Sequence, residues 1–200
     1  QDVMAGYVQD GIMKMAEQIE SDLFTLYTSF STTPIDATAG SGGIVANTLI
    51  EAGRLFNAAK VPTSQRYIAW NEDAQAELLK LAQFTNAQYD PANATALEEA
   101  TMGRKYGFTH LMSQLVKTAG GEVKNLAFHP DAIMMASRPL PPPPAGTGAM
   151  ATTMSEDGFS IRVIYAYNPT YLGMQVTIDM LYGVAEMRDN HALVIRSTDV

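Results

Sequence analysis

Residues 38–49 read T-A-G-S-G-G-I-V-A-N-T-L, with Gly40, Gly42 and Gly43 ahead of a helix-like stretch. A glycine turn feeding a helix N-terminus offers free N–H groups and the positive end of the helix dipole to a phosphate. Two phosphate-binding patterns can be tested against it. A P-loop requires Lys after its last glycine, and Ile44 stands there instead. The dinucleotide fingerprint requires a third spaced glycine, and Val45 occupies that position. The preceding S-T-T-P-I-D-A-T does not read as a strand. The loop therefore reads as a flexible joint between two elements, with an anion-binding enzyme built on Gly40–Gly43 as the alternative.

The remaining chemistry-bearing residues form no catalytic motif. His110, His129 and His191 are the three histidines, and no two share a metal-ligand spacing. Each reads as a structural or surface histidine, with a cluster in space left open. His129 precedes Pro130-Asp131, which looks like a helix entry. No G-x-S-x-G elbow is present. Glu98 and Glu99 are adjacent, so a helix would point them apart rather than pair them for acid–base work. Asp179 reads as a solvated or salt-bridged residue on a strand. Asn93-Ala94-Thr95 matches a glycosylation sequon without secretory context. The expected catalytic, cofactor-binding and metal-ligating sets are all empty, and the chain reads as a structural or interaction protein.

Composition narrows the classes. The chain has 200 residues, a net charge of −8 and no cysteine. Acidity argues against general nucleic-acid binding, and the lack of thiols excludes disulfides and thiolate metal sites. No apolar run approaches a membrane span. Twelve methionines are many for this length. They could line an adaptable groove, but their spacing suggests core packing.

The elements that must position these residues follow from periodicity. Met4, Val8, Ile12, Met15, Ile19, Leu23, Leu26 and Phe30 form one helical stripe over residues 2–30. Its length is about 40 Å. A second amphipathic helix is predicted over Ile44–Ala59 and ends at Val61-Pro62. A strand at 66–70 leads to Asn71, which caps a third helix running to about Leu81, with Glu72 and Asp73 in its first turn. Residues 83–96 are polar and turn-rich. Strands are predicted within 107–116 and at 126–128, and a short helix from Pro130 to about Ser137. P-L-P-P-P-P-A-G-T-G at 139–148 is an extended run. It reads as a rigid surface loop, with a ligand for proline-reading domains as the alternative. Ile161, Val163, Tyr165 and Tyr167 on one strand, and Met174, Val176, Ile178 and Met180 on the next, predict an antiparallel hairpin with one buried face. Asn168-Pro169 turns between them, and 192–195 is a last strand. Early helices and late strands make the class α+β.

Several segments in this order resemble the major capsid (coat) proteins of tailed double-stranded-DNA bacteriophages. They are R-Y-I-A-W-N-E-D-A-Q-A-E-L-L-K after Val61-Pro62, and M-G-R-K-Y-G-F-T-H-L-M-S-Q at 102–114. L-A-F-H-P-D-A-I at 126–133 follows, then S-I-R-V-I-Y-A-Y-N-P through I-D-M-L-Y-G-V-A. The likeness spans roughly residues 44–196 and is nearest to short-tailed phage coat proteins with the Hong-Kong-97-type fold.

The resemblance implies a peripheral domain built on a spine helix and long strands, and an axial domain near the capsomer axis. On that basis residues 1–33 would be the spine, 34–185 mainly axial, and 186–200 a strand returning to the peripheral domain. The glycine joint would link spine and axial domain, where a subunit bends to suit pentamer or hexamer positions. The proline loop could lie near a capsomer axis. The chain begins at Gln1, so the family's N-terminal arm and extended loop would be missing from this sequence. Residues 113–124 leave no room for the inserted domain of some relatives, and no Lys–Asn crosslinking pair can be assigned.

The function implied is a shell protein without catalysis or cofactors. It would self-assemble into hexamers and pentamers of an icosahedral shell around DNA held without sequence-specific contacts. Scaffolding, portal and decoration proteins would be further partners, and no membrane is involved. Assembly would occur in the host bacterial cytoplasm and the protein would reside in the virion. A cellular nanocompartment shell of the same fold is the nearest alternative.

Overall fold

The computed structural model describes residues 2–81, 84, 102–144, 146–156 and 158–199. The sequon at Asn93, the Glu98-Glu99 pair and most of the polar stretch 83–96 lie outside the described residues. The elements are α1 (Asp2–Thr25), β1 (Ile35–Ala37), α2 (Ala46–Ala58), β2 (Tyr67–Trp70), α3 (Glu72–Lys80), β3 (Arg104–Lys105), β4 (Phe108–Met112), β5 (Thr118–Ala119), β6 (Glu122–Phe128), β7 (Ile133–Arg138), β8 (Met150–Glu156), β9 (Phe159–Asn168), β10 (Gly173–Glu186) and β11 (Ala192–Thr198). Helix and sheet are mixed, as the α+β expectation required.

The chain forms two compact units. The first comprises residues 1–19 and 135–185, the second 20–134 and 186–200. The segments 34–185 and 186–200 do not coincide with these units, because residues 186–200 share a unit with 20–134. Strand β11 explains this: it pairs in parallel with β1 (Ile35↔Ile195) and antiparallel with β6 (Leu193↔Ala127).

The second unit holds a seven-stranded sheet ordered β1-β11-β6-β2-β4-β3, with β5 on β6. Its central strands are buried on both faces, so they carry continuous apolar runs such as Ala192–Ile195 rather than alternation. Helices α2 and α3 bury Leu49, Ala52, Phe56, Ala74 and Leu78 in a core with Ile68, Trp70, Phe108, Leu193 and Ile195. A second cluster gathers Phe24, Val123, Leu126, Ala132 and Val194. Each fully buried large side chain contributes about 1.5–3 kcal/mol, so stability is concentrated here. Asn71 caps α3 as expected, its side chain accepting from the Ala74 N–H at 2.9 Å. Behind it Asn125, with no exposed surface, accepts from the Asn71 N–H at 3.0 Å and donates to the Ser197 hydroxyl at 2.8 Å. One satisfied amide thus ties β6 to the entry of α3 and to β11.

The first unit holds a four-stranded sheet ordered β7-β10-β9-β8. Strands β9 and β10 form the predicted hairpin, with Ile161 opposite Met180 and Tyr167 opposite Met174. Asn168 shapes its turn by accepting from the Thr170 N–H at 3.0 Å. Most of α1 belongs to this unit, and of its two interior glycines, Gly6 and Gly11, the second has a packing reason. A Cβ on Gly11 would come within 3.0 Å of the Ile178 Cδ1, so glycine admits the sheet close to the helix.

Four expectations are corrected. The stretch before the glycine loop does contain a strand, the three-residue β1, too short to show a period. The helix from Pro130 is a single turn, Pro130–Ala132, and I-M-M-A-S-R continues as β7, where burial alternates. The hairpin face is not buried along its length: Ile161 and Val163 are half-buried, whereas Tyr165, Tyr167 and Met174 are exposed. The methionines are not mainly core residues. Met102 is buried, but Met13, Met112, Met134, Met150, Met154, Met174 and Met187 are exposed.

Candidate functional site

The glycine loop holds a carboxylate where a phosphate would have to bind. Gly42 and Gly43 take left-handed φ values of 95° and 74°, which only glycine adopts without strain. The Ser41 and Gly43 N–H groups return to the Thr38 carbonyl, both at 2.9 Å. At the entry of α2 the Ile44 N–H donates to Glu77 Oε2 at 3.1 Å, and the Val45 N–H to the Thr48 hydroxyl at 3.3 Å. A fixed anion from α3 therefore occupies the dipole end and repels a second one. Both flanks of the loop lie in the second unit. Gly43→Ala would force a left-handed alanine with its Cβ 3.5 Å from the Glu77 carboxylate. The expected loss is about 1 kcal/mol, read as a melting point lowered by about 2–4 °C.

His110 is a structural residue of the second unit. The Trp70 indole N–H donates to His110 Nδ1 at 2.9 Å, which leaves Nε2 to donate toward the Lys105 carbonyl at 3.3 Å. Phe84 meets the imidazole edge-on at 5.3 Å. Burial pushes its pKa down to about 4, against the raising effect of the Lys105 carbonyl.

The other two histidines, 62 positions apart in sequence as 191 minus 129, come together. Their rings are 6.0 Å apart, edge to face. As the helix-entry reading suggests, His129 Nδ1 accepts from the Asp131 N–H, at 3.2 Å. The Asp131 carboxylate lies 3.6 Å from the same nitrogen and 3.7 Å from the Arg188 guanidinium. Both imidazoles are at least nine-tenths buried. His191 Nδ1 is buried with no hydrogen-bond partner among the described residues. Burial, reinforced by Arg188 and His129, lowers the His191 pKa. No spacing rule could have found this cluster, because the topology of β6 and β11 creates it.

The first unit carries the proline run and most of the exposed large apolar residues. Asp179 is salt-bridged, as read from the sequence. Across the β9–β10 pair, Arg162 Nε donates to its carboxylate at 2.9 Å, and this hydrogen bond holds the carboxyl below its ordinary range. The Arg162 fork also donates to the Pro141 carbonyl, which fastens the extended run to the hairpin. The Thr147 hydroxyl closes the following turn on the Pro144 carbonyl at 2.9 Å. Met150, Met154, Tyr171 and Leu172 stand 69–82% exposed. In this unit Ile19, 9% exposed, is the one buried large apolar residue among the described residues. Single exposed apolar residues are ordinary, but a concentration of them marks a surface meant for a partner. Among the described residues no helix is long and apolar enough to cross a membrane.

No curated protein matches the sequence. Solved structures do match the fold. A structure from Mycobacterium phage Che8 aligns with a TM-score of 0.60 at 18% identity, covering 94% of this chain and 61% of that one. The capsid of the cyanophage P-SCSP1u gives 0.63 at 15% identity, covering 98% and 66%. An encapsulin complex from Synechococcus elongatus gives 0.50 at 14% identity, covering 94% and 63%. The chain thus spans about two thirds or less of the length of the proteins it matches, and at these identities the likeness shows the fold alone. That fold is the Hong-Kong-97-type expected from the sequence. The profile of the family described as phage capsid protein matches residues 10–139. This match covers more than half of the sequence, and the chain belongs to the phage capsid protein family.

Proposed function

We propose that this chain is the shell-forming subunit of a tailed phage, assembling with copies of itself into hexamers and pentamers of a closed shell around double-stranded DNA. The family match over residues 10–139 carries the reading. The thin burial of the first unit supports it, since an under-buried sheet with exposed Tyr171, Leu172 and Met174 gains most from neighbouring copies. A net charge of −8 keeps such a shell from binding the packaged DNA through its phosphates. The first unit, with most of the long helix and the two longest strands, would be the peripheral domain, and the second the axial one. This redraws the boundaries expected from sequence. Scaffolding, portal and decoration proteins remain proposed partners, with assembly in the host cytoplasm and residence in the virion.

Electron microscopy of the full-length protein tests this reading. Closed particles are expected from the wild type. A Tyr171→Asp/Leu172→Asp variant should keep its secondary structure and fail to form them. Unchanged particles from that variant would remove this surface from the assembly contacts, and a monomeric wild type would remove the shell itself. The likeness to the encapsulin complex favours one second reading, a nanocompartment around protein cargo. Nucleic acid within the particles would exclude it.

A further inference from the structure

We propose that His129, Asp131 and His191 form a binding site for a divalent transition-metal ion of the zinc class. One ring nitrogen of each histidine and one Asp131 oxygen lie within 4.8 Å of one another. Two imidazoles and a carboxylate form a donor set suited to Zn²⁺, Co²⁺ or Ni²⁺, whereas Mg²⁺ and Ca²⁺ prefer oxygen ligands. Three protein ligands leave a position for water.

The independent sign is His191 Nδ1, a buried ring nitrogen without a hydrogen-bond partner among the described residues. A buried polar atom left unpaired destabilises the fold, and a metal ion would satisfy it.

The backbone holds the ligands in place from both sides. The His129 N–H donates to the His191 carbonyl at 3.1 Å, and the Ala132 N–H to the His129 carbonyl at 2.8 Å. The Met187 N–H donates to the Ala132 carbonyl at 2.8 Å, and the His191 N–H to the Arg188 carbonyl at 3.1 Å. Donor atoms around tetrahedral zinc stand about 3.3 Å apart, given bonds of about 2.0 Å, so the donors must draw inward. The half-exposed Asp131 side chain can supply much of that movement. Arg188, 3.7 Å from the Asp131 carboxylate and half-exposed, is the competing cation and must yield. The ion would fasten the segment leaving the second unit at 129–134 to the segment re-entering it at 186–191.

The test uses the full-length protein, stripped with a chelator and titrated with Co²⁺ and then Zn²⁺. Calorimetry gives affinity, and visible absorbance reports cobalt bound to nitrogen and oxygen donors. The expected result is one ion per chain, a cobalt band abolished by Zn²⁺, and a melting point raised by either ion. His129→Gln and His191→Gln should each weaken binding at least about tenfold, the lower end for even the outer partners of a metal ligand. Arg188→Ala, a surface change that leaves the fold intact, should tighten binding about two- to fivefold, the scale of an exposed ion pair. Absence of the cobalt band in the wild type would overturn the proposal. So would equal affinity in the histidine variants, or weaker binding in Arg188→Ala.

Discussion

Arg66→Met lowers the unfolding free energy of the subunit by about 3 kcal/mol, although it removes a charge from a largely buried position. Its guanidinium donates to the Pro62 carbonyl and the Val61 carbonyl, both at 2.7 Å, and to the Asn57 side chain at 2.9 Å. It also stands 5.5 Å over the Phe56 ring. Burial pushes its pKa down without making it neutral, since an arginine remains charged at any physiological pH. The carbonyls it binds follow the C-terminus of α2, where the helix dipole favours a cation. Methionine restores the apolar stem and leaves three acceptors unpaired, each at about 1–3 kcal/mol if it stays dry. Arg66→Lys should recover only part of the loss, because one ammonium cannot reach three acceptors in the geometry of a planar fork. Denaturant unfolding of dissociated subunits followed by circular dichroism is the check. Lysine performing as well as arginine would show that charge, rather than fork geometry, holds the turn.

Acidification from pH 7 to pH 4 should cost the second unit roughly 3 kcal/mol through His110 alone. Its folded pKa of about 4 lies below the ordinary 6.5. In that window the unfolded chain binds the proton and the folded chain does not, so stability falls as pH falls. It is complete above about 6.5 and lost by about 4. Carboxylates titrate over the same range, so the comparison with His110→Gln isolates the effect. Glutamine can accept from the Trp70 indole without ever charging. The variant's stability should fall less steeply between pH 6.5 and 4.5, and the two curves should converge as the wild type loses its advantage. Trp70 is the only tryptophan, so its fluorescence reports the pair directly. Parallel curves for the two proteins would mean that His110 is not the titrating group.

Much of the fold is legible in the sequence, for identifiable reasons. The stripe from Val8 to Leu23, the Asn71 cap and the β9–β10 alternation are local patterns with a fixed period, and each appears as an element. Strand β1 is not legible because three residues cannot display a period, and its stability comes from β11, 160 positions away as Ile195 minus Ile35. Residues 133–138 misled because Pro130 correctly marks a helical turn whose length no cap specifies. Resemblance supplied the family; periodicity alone supplied only the class. The His129–Asp131–His191 cluster was invisible because ligands brought together by strand pairing leave no spacing. The exposure of Tyr165, Tyr167 and Met174 is not legible, because strand alternation shows which residues share a face and says nothing of whether that face is covered.

Sedimentation velocity of the natively purified full-length protein, with absorbance recorded for protein and nucleic acid together, shows whether the subunit forms a shell around DNA. A megadalton boundary is expected, with nucleic-acid absorbance travelling inside it. A single slow boundary of subunit size from the full-length protein would contradict it.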